Sequence, residues 1–251
     1  MPALCLVRAV NMSHLRAAEY REDVDPRELA EYTPADASRF LGISKATINR
    51  WLYGRRNKYS EFRPLISPAD PDAKLLSFFN LVELHVLAAT RYKHKVKFDA
   101  IRIALDTVQA KYPSTHPLIS KDFMTNGRDL FLQTVSENEN LSTVGQTNLK
   151  QVMDMFLVHI DREKHKIAER IYPVIKGQPN DKVVSIRHGI ASGQPVVGRR
   201  AVPVFIIYGR HQANEPTRSI ARDFGLSEAQ VKRAIDYIEK RPVKERQKRA
   251  A

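Results

Sequence analysis

The chain has 251 residues, with Lys+Arg 41 against Asp+Glu 28, a formal net charge of +13 and a pI near 9.9. A hydrophobic fraction of 43% beside a charged fraction of 27% excludes wholesale disorder and is ample for two folded domains. The single cysteine, Cys5, excludes an internal disulfide framework and a thiolate zinc site, and no apolar run is long enough to span a membrane; a soluble protein of the reducing cytoplasm is expected.

Residues 1–25 mix charges without clear periodicity and read as a flexible extension. The first strong start signal is Thr33, an N-cap residue followed by Pro34 at the first helical position, where a missing N–H costs nothing. Gly42 ends that helix by supplying positive φ, and Ser44 caps a second one. Ala37, Leu41, Ile43, Ile48 and Trp51 fall where two crossed helices face each other, and Ser38 is small where their backbones approach. The spacing is that of a helix-turn-helix, and it also suits an ordinary helical hairpin with a solvated face. Lys45, Ala46, Asn49 and Arg50 face outward, as hydrogen-bonding and basic side chains of a helix in the DNA major groove would. Lys45, Arg50, Arg55, Arg56, Lys58 and Arg63 stand against the lone acid Glu61 in this region, so the charge follows directly on the candidate recognition helix. The DNA-binding candidates are therefore Ser44, Lys45, Thr47, Asn49, Arg50, Arg55, Arg56 and Lys58, with double-stranded DNA as partner.

From Tyr53 to Asp72 the chain is rich in Arg, Pro and Ser and reads as a loop or wing. Asn80 and Glu83 form a capping-box-like pair ahead of a helix whose Leu81, Leu84, Leu87 and Ala88 enter a core. Another helix begins near Phe98, with Ile101, Ala104, Leu105 and Val108 inward, and Pro113 ends it. Between them Arg91, Lys93, Lys95 and Lys97 read as solvated surface, with phosphate contact as the alternative. Asn126-Gly127 then predicts a hairpin over Ser120 to Gln133, and Leu157 to Ile175 predicts a second with Glu163 to Lys166 at its tip. Ser136 to Asn148 reads as a polar loop between them.

A mixed α and β domain of residues 26–176 thus closes near Gly177, where a polar linker begins. Val183 to Ile186 and Pro195 to Val204 read as strands broken by turns at Gly189, Gly193 and Gly198. Then the opening pattern recurs. Setting Gly225 on Gly42 places Ile220 on Ala37, Ala221 on Ser38, Leu226 on Ile43, Ser227 on Ser44, Val231 on Ile48 and Ala234 on Trp51. Ser227 with Gln230 makes a capping box. Glu228, Lys232 and Arg233 face outward; Glu228, standing where the first motif has Lys45, repels phosphate and favours a packing or dimer role. Residues 181–240 form this second domain, and residues 241–251 a basic tail. The eight histidines are scattered without metal spacing, and although His159 and His165 could meet across a hairpin, a surface pair is the simpler reading. No serine carries a nucleophile motif, so neither catalysis, metal nor cofactor is expected.

Two stretches resemble known families. Tyr32 to about Gln109 looks like a MerR-type helix-turn-helix, with Trp51 near the end of the recognition helix and Asn80-Leu81-Val82-Glu83-Leu84 opening the next. Val183 to Ile238 resembles a small antitoxin-associated domain, carried by Gly193-Gln194-Pro195-Val196-Val197, Gly198-Arg199-Arg200-Ala201-Val202-Pro203-Val204 and Ile220-Ala221-Arg222-Asp223-Phe224-Gly225-Leu226. Arg199 and Ala201 depart from the family's usual threonine and isoleucine. The combination is similar to long VapB-like antitoxins of type II toxin–antitoxin pairs. The resemblance implies an α+β fold: a winged, MerR-type helix-turn-helix with β-hairpins, then a small domain of short strands with a second helix-turn-helix. It also implies an antitoxin that neutralises a PIN-like nuclease toxin and represses its own operon as a DNA-binding dimer. Because such nucleases work through metal-holding carboxylates, the basic tail is the candidate toxin-binding segment, through Arg241, Lys244, Arg246, Lys248 and Arg249. Val196, Val197, Val202, Val204 and Ile206 are the candidate homodimer surface. The alternative function is a stand-alone MerR-like regulator with a ligand-sensing middle domain.

Overall fold

The computed structural model describes residues 24–56, 61–92, 96–163, 167–174, 178 and 180–240. Within them the chain is α+β, with nine α-helices and a five-stranded antiparallel sheet. The predicted Asn80–Glu83 cap lies one turn too far along. Helix α3, Phe78–Tyr92, is capped by Ser77, whose Oγ accepts the Asn80 N–H at 3.1 Å while Asn80 Oδ1 accepts the Ser77 N–H at 3.1 Å. Twelve of its fifteen residues are buried, including Asn80, Glu83, His85 and Thr90. Such a helix needs neighbours on every side. They come from α1 (Pro34–Leu41), α6 (Thr143–Val158) and strand β4 (Ala168–Ile171). The buried polar groups are paired: Asn80 donates to the Ser67 carbonyl, His85 to that of Phe156 and Thr90 to that of Leu87.

Helix α4, Phe98–Lys111, buries Ile101, Ala104, Leu105 and Val108 as the periodicity predicts. The hairpin expected at Asn126-Gly127 is absent. Phe123–Gly127 is a widened helical turn running into α5, Arg128–Asn138. Phe123, Gly127, Phe131 and Val135 recur every fourth residue, all are buried, and a side chain at Gly127 would touch Val108 of α4. Packing on α4 at helical period therefore overrides the local turn signal. Nor is Ser136–Asn148 a loop: it spans the end of α5 and the start of α6, whose cap is Ser142, accepting the Gly145 N–H.

The second predicted hairpin is present, with β3 (Ile160–Arg162) antiparallel to β4 and Ile160 opposite Ile171; its tip at 164–166 lies outside the described residues. β5 (Val184–Arg187) continues the sheet with Ile186 opposite Ile171, followed by β6 (Val196–Val197) and β7 (Val202–Pro203). The sheet thus takes strands from both sides of Gly177. Gly189, Gly193 and Gly198 all have positive φ, as their turn roles require. The apolar run after Ala201 leaves the sheet sooner than expected. From Val204 to Gln212 it is helix α7, with Val204 and Ile207 buried and Phe205 and Ile206 outside, a helical rather than alternating pattern. Helices α8 (Thr217–Phe224) and α9 (Glu228–Glu239) close a second apolar cluster with Val184, Val197 and Val202. Among the described residues no helix is long and apolar enough to cross a membrane.

Asp25, the end of the expected N-terminal extension, caps the short turn Pro26–Glu28. The turn is pinned. Arg27 pairs with Asp25 and Glu163 and lies over the Phe79 ring, and Glu28 Oε2 is 2.8 Å from His116 Nε2. His116 Nδ1 is 2.9 Å from Glu83 Oε2 in turn, and the Glu83 side chain is 2% exposed. Burial works against a charged imidazole, but carboxylates at both ring nitrogens outweigh it and raise the His116 pKa to about 9. The folded state therefore holds a proton that the unfolded chain releases near pH 6.5. Stability from this group is complete below that pH and is lost as pH rises to about 9. Denaturant unfolding between pH 6 and 9.5 should show this decline, and a His116→Gln variant, destabilised at pH 6, should show a flatter profile over the same window.

Candidate nucleic-acid interface

The first helical pair is built as its sequence predicts. Thr33 and Asp36 form a reciprocal capping box at the start of α1. Gly42 then takes φ 67°, and Ser38 Oγ donates to the Ile43 carbonyl at 2.6 Å, so the small residue at the crossing also ties down the turn. Helix α2, Lys45–Tyr53, begins with Ser44 Oγ accepting the Thr47 N–H. Ile48, Trp51 and Leu52 are buried. The Trp51 carbonyl accepts N–H groups from Leu65 and Ile66, fastening the following segment beneath the helix.

Of the predicted DNA-binding residues, Ser44 and Lys45 are exposed, while Thr47, Asn49 and Arg50 are half-buried on the same outer side. The Arg50 guanidinium lies 5.2 Å from the Phe98 ring centroid, so the start of α4 supports it. Arg55 and Arg56 form β1, antiparallel to β2 (Glu61–Phe62), a short hairpin directly after α2. Lys58 at its tip lies outside the described residues, as do Arg241, Lys244, Arg246, Lys248 and Arg249. Beside α2 runs a cleft of about 650 Å³ lined by Lys45, Thr47, Asn49, Arg50, Tyr53 and Lys74, among others. Three cations line it and no carboxylate does. An anion is what such a surface attracts. Lys74 was not among the sequence candidates; nothing in its local pattern marks it, because a separate loop brings it to the helix.

The second pair repeats the plan. Gly225 has φ 66°, and Ser227 and Gln230 form the expected capping box. Its outer face differs: Glu228 is exposed, and Arg233 pairs with Asp181 at 3.3 Å. The two pairs meet where Tyr237 of α9 donates to the carbonyl of Phe40 in α1 at 2.9 Å. Of the residues put forward for a dimer surface, Val196, Val197, Val202 and Val204 are at most 6% exposed inside this chain's own core, whereas Ile206 is 38% exposed beside Phe205 at 61%. His159 is not the surface residue expected. His159 is buried, its Nδ1 2.7 Å from the Met155 carbonyl, and His165 lies outside the described residues. Among the described residues no three His, Cys, Asp or Glu are grouped to hold a metal ion.

Residues 184–238 match the model of a family described as a protein of unknown function, DUF433. Over 228 residues the chain is 28% identical to a protein of Mycobacterium tuberculosis (strain ATCC 25618 / H37Rv) named as a candidate antitoxin, VapB45; the alignment covers 82% of this chain and 93% of the relative. The chain resembles VapB-like antitoxins. The likeness extends far beyond residues 184–238, and it recurs in an uncharacterized protein of the same organism, Rv2308, at 26% identity over 83% of this chain and 90% of that one. The crystal structure of Rv2018 from Mycobacterium tuberculosis superposes with a TM-score of 0.64 at 24% identity, covering 83% of this chain and 98% of that one, and so shares the fold.

Gly42 is the joint on which the geometry of α1 and α2 turns. A Gly42→Ala substitution forces a Cβ into the left-handed region and should cost about 1–2 kcal/mol, read as a lower urea midpoint at unchanged m-value.

Proposed function

We propose that this chain is an antitoxin whose first helical pair is a DNA-reading helix-turn-helix, and that it represses its own operon while neutralising a PIN-like ribonuclease toxin. One observation carries the DNA half: the outer side of α2 borders a cleft with three cations and no carboxylate, directly after a glycine-turned helix pair. On this reading α2 enters the major groove, Asn49 reads a base edge, and Lys45 with Arg50 holds phosphate. The hairpin Arg55–Phe62 lies beside the groove as a wing. Its basic residues Arg55, Arg56 and Lys58 add counterion release to the affinity.

The toxin half is supported by the likeness to VapB45. Its proposed instrument is the tail, with Arg241, Lys244, Arg246, Lys248 and Arg249 laid onto the carboxylates of the nuclease. Helix α9 ends at Glu239, so the tail leaves directly from the C-terminal unit. The chain acts as a homodimer, which places two copies of α2 on a palindromic site. With the four valines committed to the interior, exposed Phe205 and Ile206 on α7 are the better candidates for contact with a second copy.

Two outcomes are expected. An Asn49→Ala variant should lose about ten-fold or more in affinity for the operator while binding to unrelated duplex stays within two-fold, measured by fluorescence anisotropy; equal losses on both would remove Asn49 from base reading. A chain ending at Lys240 should bind the operator yet leave the toxin's ribonuclease active. Full neutralisation by that shortened chain would rule out the tail.

A further inference from the structure

Lys74 reaches the cleft from a loop that no sequence signal connects with α2. Asp70 and Leu75 exchange both backbone hydrogen bonds, Asp70 N–H to Leu75 carbonyl at 3.0 Å and Leu75 N–H to Asp70 carbonyl at 2.9 Å. Asp70 Oδ1 also accepts the Ala73 N–H, which braces the turn, and Asp70 does not line the cleft. Asp72 is exposed on the same loop but does not line the cleft. The closed hairpin thus fixes the backbone from which Lys74 projects.

That backbone is strained. Lys74 has φ 57°, a conformation in which glycine or asparagine is favoured and lysine is not. A turn selected for stability alone would place glycine there. Lys74 is exposed, and neither it nor Lys45 has a carboxylate partner among the described residues. The first turn of α2, Lys45 to Thr47, lines the same cleft, and the positive end of the helix dipole adds to its charge.

We propose that the cleft between α2 and the Asp70–Leu75 hairpin is a binding site for one phosphate of the DNA backbone, with Lys74 closing it opposite Lys45 and Arg50; this rests on the DNA reading above. The hairpin is a second positioning element, separate from the Arg55–Phe62 wing. It fixes the depth at which α2 enters the groove without reading sequence. The ligand chemistry is a phosphate diester, and free inorganic phosphate is the competing source.

The test is a salt titration of the full chain on its own upstream duplex, with two variants. Lys74→Gly removes the cation while suiting the left-handed backbone, and Lys74→Arg keeps the charge. The Lys74→Gly variant should lower the slope of log K against log salt by about 0.9 and weaken binding about five-fold at 0.15 M salt, equally on operator and unrelated DNA. The Lys74→Arg variant should keep the wild-type slope. An unchanged slope in the Lys74→Gly variant, with wild-type binding intact, overturns the phosphate site and leaves the DNA reading standing. Absence of DNA binding by the wild-type chain overturns both. Calorimetric binding of inorganic phosphate alone that the Lys74→Gly variant abolishes, with the DNA slope unmoved, assigns the cleft to a small anion and likewise overturns the proposal.

Discussion

Helix α3 is enclosed by its neighbours, and that enclosure places the elements around it. A helix with Phe78, Phe79, Leu81, Val82, Leu84, Val86 and Leu87 all buried has no solvent face, so every neighbouring element is placed by the need to cover it. Its buried polar groups then dictate details of the covering. Asn80 collects the loop at Ser67 and Ala69, His85 fixes the end of α6 through the Phe156 carbonyl, and Glu83 holds His116, which holds Glu28. Burial lowers the His85 pKa to about 4, so that ring stays neutral, while His116 between two carboxylates stays charged. The same side chain serves two opposite electrostatic roles on one core.

From that core the structure presents two copies of one helical plan with different outer faces. In both, a glycine at φ near 66° turns the chain, a serine caps the second helix, and apolar residues at matched positions fill the crossing. The inner positions vary in size because they answer mainly to packing, although Ser38 also holds the Ile43 carbonyl where Ala221 cannot. The outer positions diverge: cations without acids beside α2, and Glu228 with an Arg233–Asp181 pair on α9. One plan therefore supplies a surface that gathers cations alone and another that carries its own carboxylates. The Tyr237–Phe40 hydrogen bond and a sheet drawn from both sides of Gly177 join them.

Much of this was legible in the sequence wherever the determinants are local. Thr33, Gly42, Ser44, Gly225 and Ser227 act through their own backbone neighbourhood, and each does what its residue type suggests. Asn126-Gly127 misled because its strong local preference lost to Phe123, Phe131 and Val135 at helical spacing against α4. The strand expected up to Val204 stops at Pro203, because the short apolar run Val202 to Ile207 suits strand and helix alike and only burial at helical spacing decides. Lys74 and the Glu28–His116–Glu83 chain were illegible for another reason. Their partners lie in distant parts of the chain, and no spacing in the sequence encodes such a meeting.

On the function proposed, this chain is one half of a toxin–antitoxin pair. The most direct measurement is co-purification: the chain is expressed with its neighbouring reading frame, with a tag on one of the two only. The expected result is a stoichiometric complex whose other member cleaves RNA once it is freed from this chain. If the chain elutes alone, and still binds its upstream DNA, the antitoxin reading is contradicted and a stand-alone regulator takes its place.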